Sequence, residues 1–113
     1  GEGAWQGFAQ VFGAMPATIF DSPGTIVRAA ESGRVIHADS SLSGYGNLII
    51  IKHADRYSSV YAHNRKMLVR VGQFVEKGDA IAEVGKTGNA SVAHLHFEIR
   101  SDGSPRDPMA LLR

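Results

Sequence analysis

The stretch Asn47-Leu48-Ile49-Ile50-Ile51-Lys52-His53 indicates its secondary structure more plainly than any other part of the chain. Its apolar residues are mostly β-branched, and such residues favour extended strands. Turn-forming residues border the stretch on both sides, with Gly44-Tyr45-Gly46 before it and Ala54-Asp55-Arg56 after it. A short apolar run between turn signals predicts a strand, and residues 57–63 follow as its partner in a hairpin.

The rest of the chain repeats this pattern of short apolar segments between turns, and 13 glycines punctuate it. Residues 69–85 form a quasi-repeat in which Gly72 and Gly78 each precede an apolar residue by three positions. Glycine adopts positive φ without strain, so each of the two predicts a tight turn between very short strands. We therefore predict an all-β fold, an antiparallel β-sandwich or open barrel, with helix limited to single turns at residues 62–66 and 109–112.

Length and composition predict one globular domain that spans residues 1–113. The absence of cysteine excludes disulfides, thiolate zinc fingers and a cysteine nucleophile. The 12 Lys and Arg residues against 11 Asp and Glu give a net charge of +1, which provides no strong attraction to nucleic acid. No apolar run in the sequence is long enough to span a membrane. The chain opens with Gly1-Glu2-Gly3 and without an initiator methionine, so we interpret it as a fragment of a longer protein.

The five histidines are the main candidates for chemistry, and two of them form the motif His94-Leu95-His96. Side chains alternate between the two faces of a strand, so His94, His96 and Glu98 are expected to share one face. The residues expected to pack into the core from the other face are Leu95, Phe97 and Ile99. Two imidazoles on one face can point into a single groove, where one binds a metal and the other contacts substrate or water. Taken alone, the pattern also fits the polar outer face of a strand.

Further segments occur in one order along the chain, and together with the histidine motif they resemble the LytM-type, lysostaphin-like family of zinc endopeptidases. The resemblance covers residues 24–112. Within the family it is nearest to the NlpD- and EnvC-like murein hydrolase activators. The segments that carry it are Gly33-Arg34-Val35, Gly44-Tyr45-Gly46-Asn47, Ile51-Lys52-His53, Tyr61-Ala62-His63, residues 69–85, Val84-Gly85-Lys86-Thr87-Gly88, His94-Leu95-His96-Phe97-Glu98-Ile99-Arg100 and Asp107-Pro108.

The resemblance implies an antiparallel β fold with a central groove and an activity that cuts peptide cross-links in bacterial peptidoglycan. It also implies a zinc site built from a His-x-x-x-Asp motif and the second histidine of His-x-His. His96 matches that third zinc ligand. His63 and His94 match the two assisting histidines, which would orient the attacking water or stabilise the tetrahedral oxyanion. The side chains expected to line the groove are Tyr45, Tyr61 and Glu98.

The first two zinc-ligand positions depart from the family pattern. Counting back from Gly24 and Gly33 puts the first histidine position at Ala14 and the aspartate position at Thr18. Alanine has no donor atom, and a threonine hydroxyl is a poor zinc ligand. Asp21 is the nearest carboxylate, but its shift of three positions places it on the other strand face. A catalytic zinc site needs three protein ligands, so we expect no cofactor, with a bound zinc ion as the alternative.

With these departures, the resemblance implies a LytM-like cell-wall factor that acts by binding, with residues 1–23 as divergent first strands. It would bind peptidoglycan or activate a partner murein hydrolase, an amidase, in cell-wall remodelling or cell division. One alternative is an active zinc endopeptidase that cleaves peptidoglycan cross-links, and a second is a structural module of an envelope complex. The expected location is extracytoplasmic, in the periplasm or associated with the envelope. His37 and His53 have no metal role in the family and are expected to be structural or surface residues.

Overall fold

The computed structural model describes residues 17–54, 57–101 and 104–106, and within them the chain forms strands and no helix. The strands are β1 (Ala17–Phe20), β2 (Ile26–Arg28), β3 (Gly33–Asp39), β4 (Asn47–Lys52), β5 (Tyr57–Asn64), β6 (Lys66–Met67), β7 (Phe74–Val75), β8 (Ala80–Glu83), β9 (His94–Ser101) and β10 (Ser104–Arg106). The described part of the chain therefore contains no helix that is long and apolar enough to cross a membrane. The predicted all-β class is confirmed.

The strands form two antiparallel sheets. The large sheet has seven strands, in the order β1-β9-β5-β4-β3-β7, with β10 also paired to β9. The small sheet has three strands, in the order β2-β8-β6. The predicted hairpin is β4 and β5 at the centre of the large sheet, and the backbone N–H of His53 donates to the carbonyl of Tyr57 at 2.9 Å beside its turn.

The main core lies between the two sheets. Val27 and Ile81 enter it from the small sheet, and Val35, Ile51 and Phe97 enter it from the large sheet. Each of these side chains is at most 3% exposed. Two antiparallel sheets that share one core make a β-sandwich, which confirms the predicted architecture.

A second, smaller cluster of buried side chains lies apart from the main core. It consists of Leu48, Val60 and Ala62, with Tyr45 and Ile50 packed against it. Val60 and Ala62 alternate along β5 with residues that enter the main core, so they belong to the outer face of the large sheet. This outer face supports the candidate site.

The glycine quasi-repeat forms the predicted tight turns between short strands. Gly72 and Gly78 have φ values of 93° and 88°, and they lie on either side of the two-residue strand β7. Each turn is tied to a strand by an arginine, because Arg34 donates to the carbonyl of Gly72 at 2.7 Å and Arg28 to that of Gly78 at 3.0 Å.

The helical turn predicted at residues 62–66 is wrong. β5 continues to Asn64, and β6 begins at Lys66. The strand has an irregularity here, because Ala62 and His63 together lie opposite Leu48 between two regular pairs. An extra residue of this kind is a β-bulge, which bends a strand locally. The turn predicted at 109–112 lies outside the described residues.

A buried hydrogen-bond network ties the central hairpin to the segment after β2. Nδ1 of His53 donates to the carbonyl of Ser32 at 2.7 Å, and Nε2 lies 2.6 Å from the hydroxyl of Ser59. That hydroxyl is 2.8 Å from the hydroxyl of Tyr61, which accepts a hydrogen bond from the N–H of Ala30 at 2.9 Å. His53 is therefore a structural residue, as predicted.

Candidate functional site

One face of β9 opens onto a cavity of about 520 Å³ on the outer side of the large sheet. His94, His96 and Glu98 line this cavity, while the alternate residues of the strand are buried in the main core. The alternation predicted for β9 is therefore confirmed. We call the cavity the histidine cleft, and its lining side chains include Tyr45, His63, Asn89, His94, His96 and Glu98.

Three imidazoles meet in the histidine cleft, although they come from two strands. The ring centres of His63 and His94 are 4.8 Å apart, and those of His63 and His96 are 6.0 Å apart. The pairing of β5 with β9 produces this proximity, because Ala62 lies directly opposite His96. The three histidines that the family resemblance singled out thus share one site.

Backbone carbonyls fix the orientation of two of these rings. Nδ1 of His63 is 2.7 Å from the carbonyl oxygen of Thr87, and Nδ1 of His94 is 2.9 Å from that of Val92. A carbonyl only accepts, so both Nδ1 atoms donate, and in the neutral rings Nε2 carries a lone pair. Burial lowers the pKa of His63, which favours its neutral form.

The bulge in β5 brings His63 into the cleft. His63 has φ = 67°, a left-handed conformation that is uncommon for any residue but glycine. Such a conformation costs about 1–3 kcal/mol and persists only where the surroundings hold it. Here the N–H of His63 donates to the carbonyl of Tyr45 at 2.8 Å, and the ring is bound to Thr87.

The prediction that Tyr61 lines the groove is wrong. Strict alternation along a strand would place Tyr61 on the same face as His63, two residues later, but the positive φ at His63 interrupts the alternation. Tyr61 is instead fully buried in the main core, opposite Phe97, with ring centres 5.5 Å apart. Burial raises the pKa of its hydroxyl to about 12.

Glu98 is the charged centre of the cleft. Its Oε2 atom lies 3.5 Å from Nε2 of His96 and accepts a hydrogen bond from Arg100 at 2.8 Å. Arg100 also donates to the hydroxyl of Tyr45 at 3.3 Å. The contact with His96, together with the hydrogen bond and charge of Arg100, holds the pKa of Glu98 below its ordinary value. Glu98 is therefore an ionised carboxylate at neutral pH.

The two walls of the cleft meet where Gly46 touches Thr87 and Gly88. A Cβ atom built on Gly46 would lie 2.3 Å from Oγ1 of Thr87 and 2.6 Å from the backbone nitrogen of Gly88. Oγ1 of Thr87 accepts from the N–H of Asn47 at 3.0 Å and donates to the carbonyl of Asn64 at 2.8 Å. Sequence reasoning did not identify Thr87 or Arg100 as site residues, although alternation from Glu98 points to Arg100.

The positions expected for the other zinc ligands are described only in part. Thr18 lies opposite His96 in the pairing of β1 with β9, and Ala14 lies outside the described residues. Asp21 is exposed in a turn, where its Oδ1 atom accepts from the N–H of Ser22 at 2.8 Å. Among the residues that the structure describes, no three His, Cys, Asp or Glu side chains are arranged to hold a metal ion.

Comparison with known proteins matches this chain and its fold to one family. The sequence model of peptidase family M23 matches residues 16–108 of this chain. The chain is also similar to the catalytic domain of lysostaphin from Staphylococcus simulans, with a TM-score of 0.79 and 34% identity. That match covers 86% of this chain and 77% of the lysostaphin domain.

Two curated relatives are more similar in sequence. The lipoprotein NlpD/LppB homolog of Pseudomonas aeruginosa is 54% identical over 89 residues, which are 79% of this chain and 30% of that protein. The murein hydrolase activator NlpD of Escherichia coli is 51% identical over 94 residues, which are 83% of this chain and 24% of that protein. The chain thus spans less than a third of the length of either relative. The chain belongs to peptidase family M23, the family of LytM-type, lysostaphin-like domains.

Proposed function

We propose that this domain acts by binding and activates a partner cell-wall hydrolase, an amidase, rather than cutting peptidoglycan itself. One observation carries the proposal: the cleft keeps three histidines of the family, while Ala14 and Thr18 stand where the other zinc ligands are expected. The result is a preorganised polar cleft that has lost most of its metal donors. The relative named murein hydrolase activator supports the same role.

The remaining donors do not suit a catalytic zinc ion. Such a site uses three protein ligands and one open position. His96 is the one retained ligand position, and its Nε2 atom faces Glu98. Ala14 offers no donor atom, and Asp21 is held in its own turn. We therefore propose that the domain works without a cofactor.

The same proposal includes a location and a second ligand. Relatives are named lipoproteins, which supports a place in the cell envelope, in the periplasm or at its membranes. Peptidoglycan is the other candidate occupant of the cleft, because the family resemblance implies an activity on peptidoglycan. With a net charge of +1, the chain has no strong attraction to nucleic acid.

The proposal is tested by dye release from labelled peptidoglycan sacculi. A purified amidase is assayed alone and with increasing amounts of the chain. We expect saturable stimulation of several-fold, and no release by the chain alone. The His94→Phe variant, which removes the ring nitrogens from the cleft, should stimulate less. The control is His37→Gln. His37 lies on β3, where its Nε2 atom is 3.0 Å from Oδ1 of Asp39, and this variant should stimulate the amidase as the unchanged chain does.

Two other outcomes would contradict the proposal. Cleavage of peptide cross-links by the chain alone, abolished by a chelator, would favour the active endopeptidase, for which the three retained histidines are the supporting observation. If the chain neither stimulates an amidase nor sediments with sacculi, the result would favour a structural module of an envelope complex.

A further inference from the structure

Three exposed apolar side chains lie together at the edge of the large sheet, away from the histidine cleft. Ile36 is 50% exposed, Val71 59% and Phe74 55%. Phe74 lies opposite Arg34 in the pairing of β7 with β3, and Val35 exchanges two hydrogen bonds with the turn before β7. Because the two segments run antiparallel, Ile36 comes next to Val71. We call Ile36, Val71 and Phe74 the edge patch.

The edge patch is on the same side of the large sheet as the histidine cleft. Ile36 follows Val35 and Phe74 precedes Val75, and both of these neighbours are buried in the main core. Side chains alternate between the faces of a strand, so Ile36 and Phe74 project from the outer face. A cluster of exposed apolar side chains bordered by polar ones is typical of a surface that contacts another molecule.

Two arginines border the edge patch and give its surroundings a positive charge. Arg70 precedes Val71 in the turn, and Arg34 lies opposite Phe74. Both arginines are exposed, and neither forms an ion pair within the part of the chain that the structure describes. The hydrogen bond from Arg34 to the carbonyl of Gly72 leaves the charge of the guanidinium in place. A complementary surface is therefore both apolar and acidic.

The acidic side chains that come next along the chain have contacts of their own. Asp79 accepts from the N–H of Glu76 in the turn that follows β7. At the other end of β3, Asp39 contacts His37 and accepts from the hydroxyl of Ser41. His37 is thus directed to the far end of β3, and we do not include it in the edge patch.

The shape of the edge patch favours a protein over an anionic membrane as its occupant. Binding to a membrane surface depends on apolar side chains that penetrate the interface and on several cations beside them. The three side chains of the edge patch instead have roughly half of their surface packed against the domain, and two arginines accompany them. Such a shallow surface suits the apolar side chains of a protein that pack on it.

A partner that occupies the histidine cleft can also reach the edge patch. The cleft lies on β9 and β5, and β7 is the last strand in the order β9-β5-β4-β3-β7. Neighbouring strands are about 4.8 Å apart, so β9 and β7 are separated by roughly 19 Å. An ordinary interface buries about 800 Å² on each partner, which corresponds to a surface roughly 30 Å across. Ile50, on β4 and packed against the second cluster, continues the apolar surface between the two regions.

We propose that the edge patch docks an acidic, apolar segment of the partner hydrolase, while the histidine cleft binds another part of the same protein. The inference rests on the proposed function, because this partner is the hydrolase that the domain activates. Apolar side chains of the segment would pack on the edge patch, and its carboxylates would pair with Arg34 and Arg70. The edge patch would supply affinity, and the cleft would supply activation.

The test separates affinity from activation with a purified amidase. Biolayer interferometry measures binding of the amidase to the chain, and dye release from sacculi measures stimulation at increasing concentrations of the chain. Phe74→Ala and Arg70→Glu should each weaken binding, and each should raise the concentration that gives half-maximal stimulation, by roughly tenfold. Neither should change the maximal stimulation, whereas His94→Phe should lower that maximum.

The matched control is Ile26→Ala. Ile26 is 41% exposed on β2, so this variant also removes an exposed apolar side chain, but from the small sheet. It should bind and stimulate the amidase as the unchanged chain does. Urea denaturation of Phe74→Ala and Arg70→Glu should give nearly the unfolding free energy of the unchanged chain, since surface substitutions cost little. Weaker binding then reports the contact and not a loss of folding.

The possible outcomes distinguish this inference from the proposed function. If both patch variants bind the amidase as the unchanged chain does, the inference is overturned and the activator role stands. Full affinity of Arg70→Glu alone would overturn the acidic character of the segment. Binding of the chain to phosphatidylglycerol vesicles, lost in Phe74→Ala, would overturn the choice of a protein.

Two further outcomes concern the activator role itself. Binding that the patch variants weaken, without stimulation by the unchanged chain, would support the docking site and contradict the activator role. If the unchanged chain neither binds nor stimulates the amidase, both the docking site and the activator role are overturned.

Discussion

Replacing Gly46 with alanine is expected to destabilise the domain by about 2–5 kcal/mol, because the substitution combines overpacking with a left-handed backbone. The new Cβ would lie 2.3 Å from Oγ1 of Thr87 and 2.5 Å from its carbonyl carbon. Most of the opposing atoms are backbone atoms, which cannot rotate away. Gly46 also has φ = 66°, where alanine is strained whatever space it has.

The matched control is Gly72→Ala. Gly72 also has a positive φ of 93°, but a Cβ built on it meets nothing within 4 Å. Gly72→Ala should therefore lower the free energy of unfolding only through strain in the left-handed backbone, by about 1–2 kcal/mol. Urea denaturation of both variants measures the two costs. Equal costs at the two positions would show that the close approach of Gly46 to Thr87 does not stabilise the domain.

Gly46→Ala should also damage the cleft beyond its effect on stability. Thr87 holds the ring of His63 through its carbonyl, so displacement of Thr87 would release His63. We expect the variant, at a temperature where it remains folded, to stimulate an amidase less than Gly72→Ala does. Full stimulation by the folded variant would argue against Thr87 as the residue that positions His63.

The Phe97→Ala variant is expected to lose about 3–5 kcal/mol of unfolding free energy, the usual cost of deleting a buried aromatic ring. Phe97 is fully buried, and its ring packs against Tyr61 at 5.5 Å. It lies between His96 and Glu98 on β9, so the cavity left in the core would be directly beneath the candidate site. Urea denaturation measures the loss as the difference in unfolding free energy between the variant and the unchanged chain, and an unchanged m-value shows that both unfold in the same way.

Phe74→Ala makes the same chemical change at an exposed position. Phe74 lies in β7 at the edge of the large sheet and is 55% exposed. A substitution there should change the free energy of unfolding by about 0.5 kcal/mol at most. A loss at Phe74 as large as that at Phe97 would mean that the core does not lie between the two sheets as described.

Local pattern was sufficient to predict the fold class and the orientation of β9. The β-branched run at residues 47–53 predicted the central hairpin, because the apolar pattern of a strand and the residues of its turn lie within a few positions of each other. Alternation along β9 correctly separated His96 and Glu98 from Phe97. Both features depend on the alternation of side chains between the two faces of a strand, and this two-residue period is visible in the sequence.

The features that sequence did not reveal depend on contacts between distant segments. His63 is not glycine, so nothing local indicates its positive φ or the bulge that turns its side chain to the face opposite Tyr61. The contact of Gly46 with Thr87 joins residues about 40 positions apart, and it appears only once the loops are folded. A single sequence shows that both residues suit turns but does not show that they meet.

The zinc content of the purified, tag-free chain, after incubation with zinc and removal of free metal, tests the central claim most directly. The claim is that this M23 domain acts through a cleft whose metal site is incomplete. We predict a value near zero zinc ions per chain, since a single retained ligand, His96, does not hold zinc at physiological concentrations. A value near one per chain, lost in a His96→Ala variant, would contradict the claim and point to an active endopeptidase.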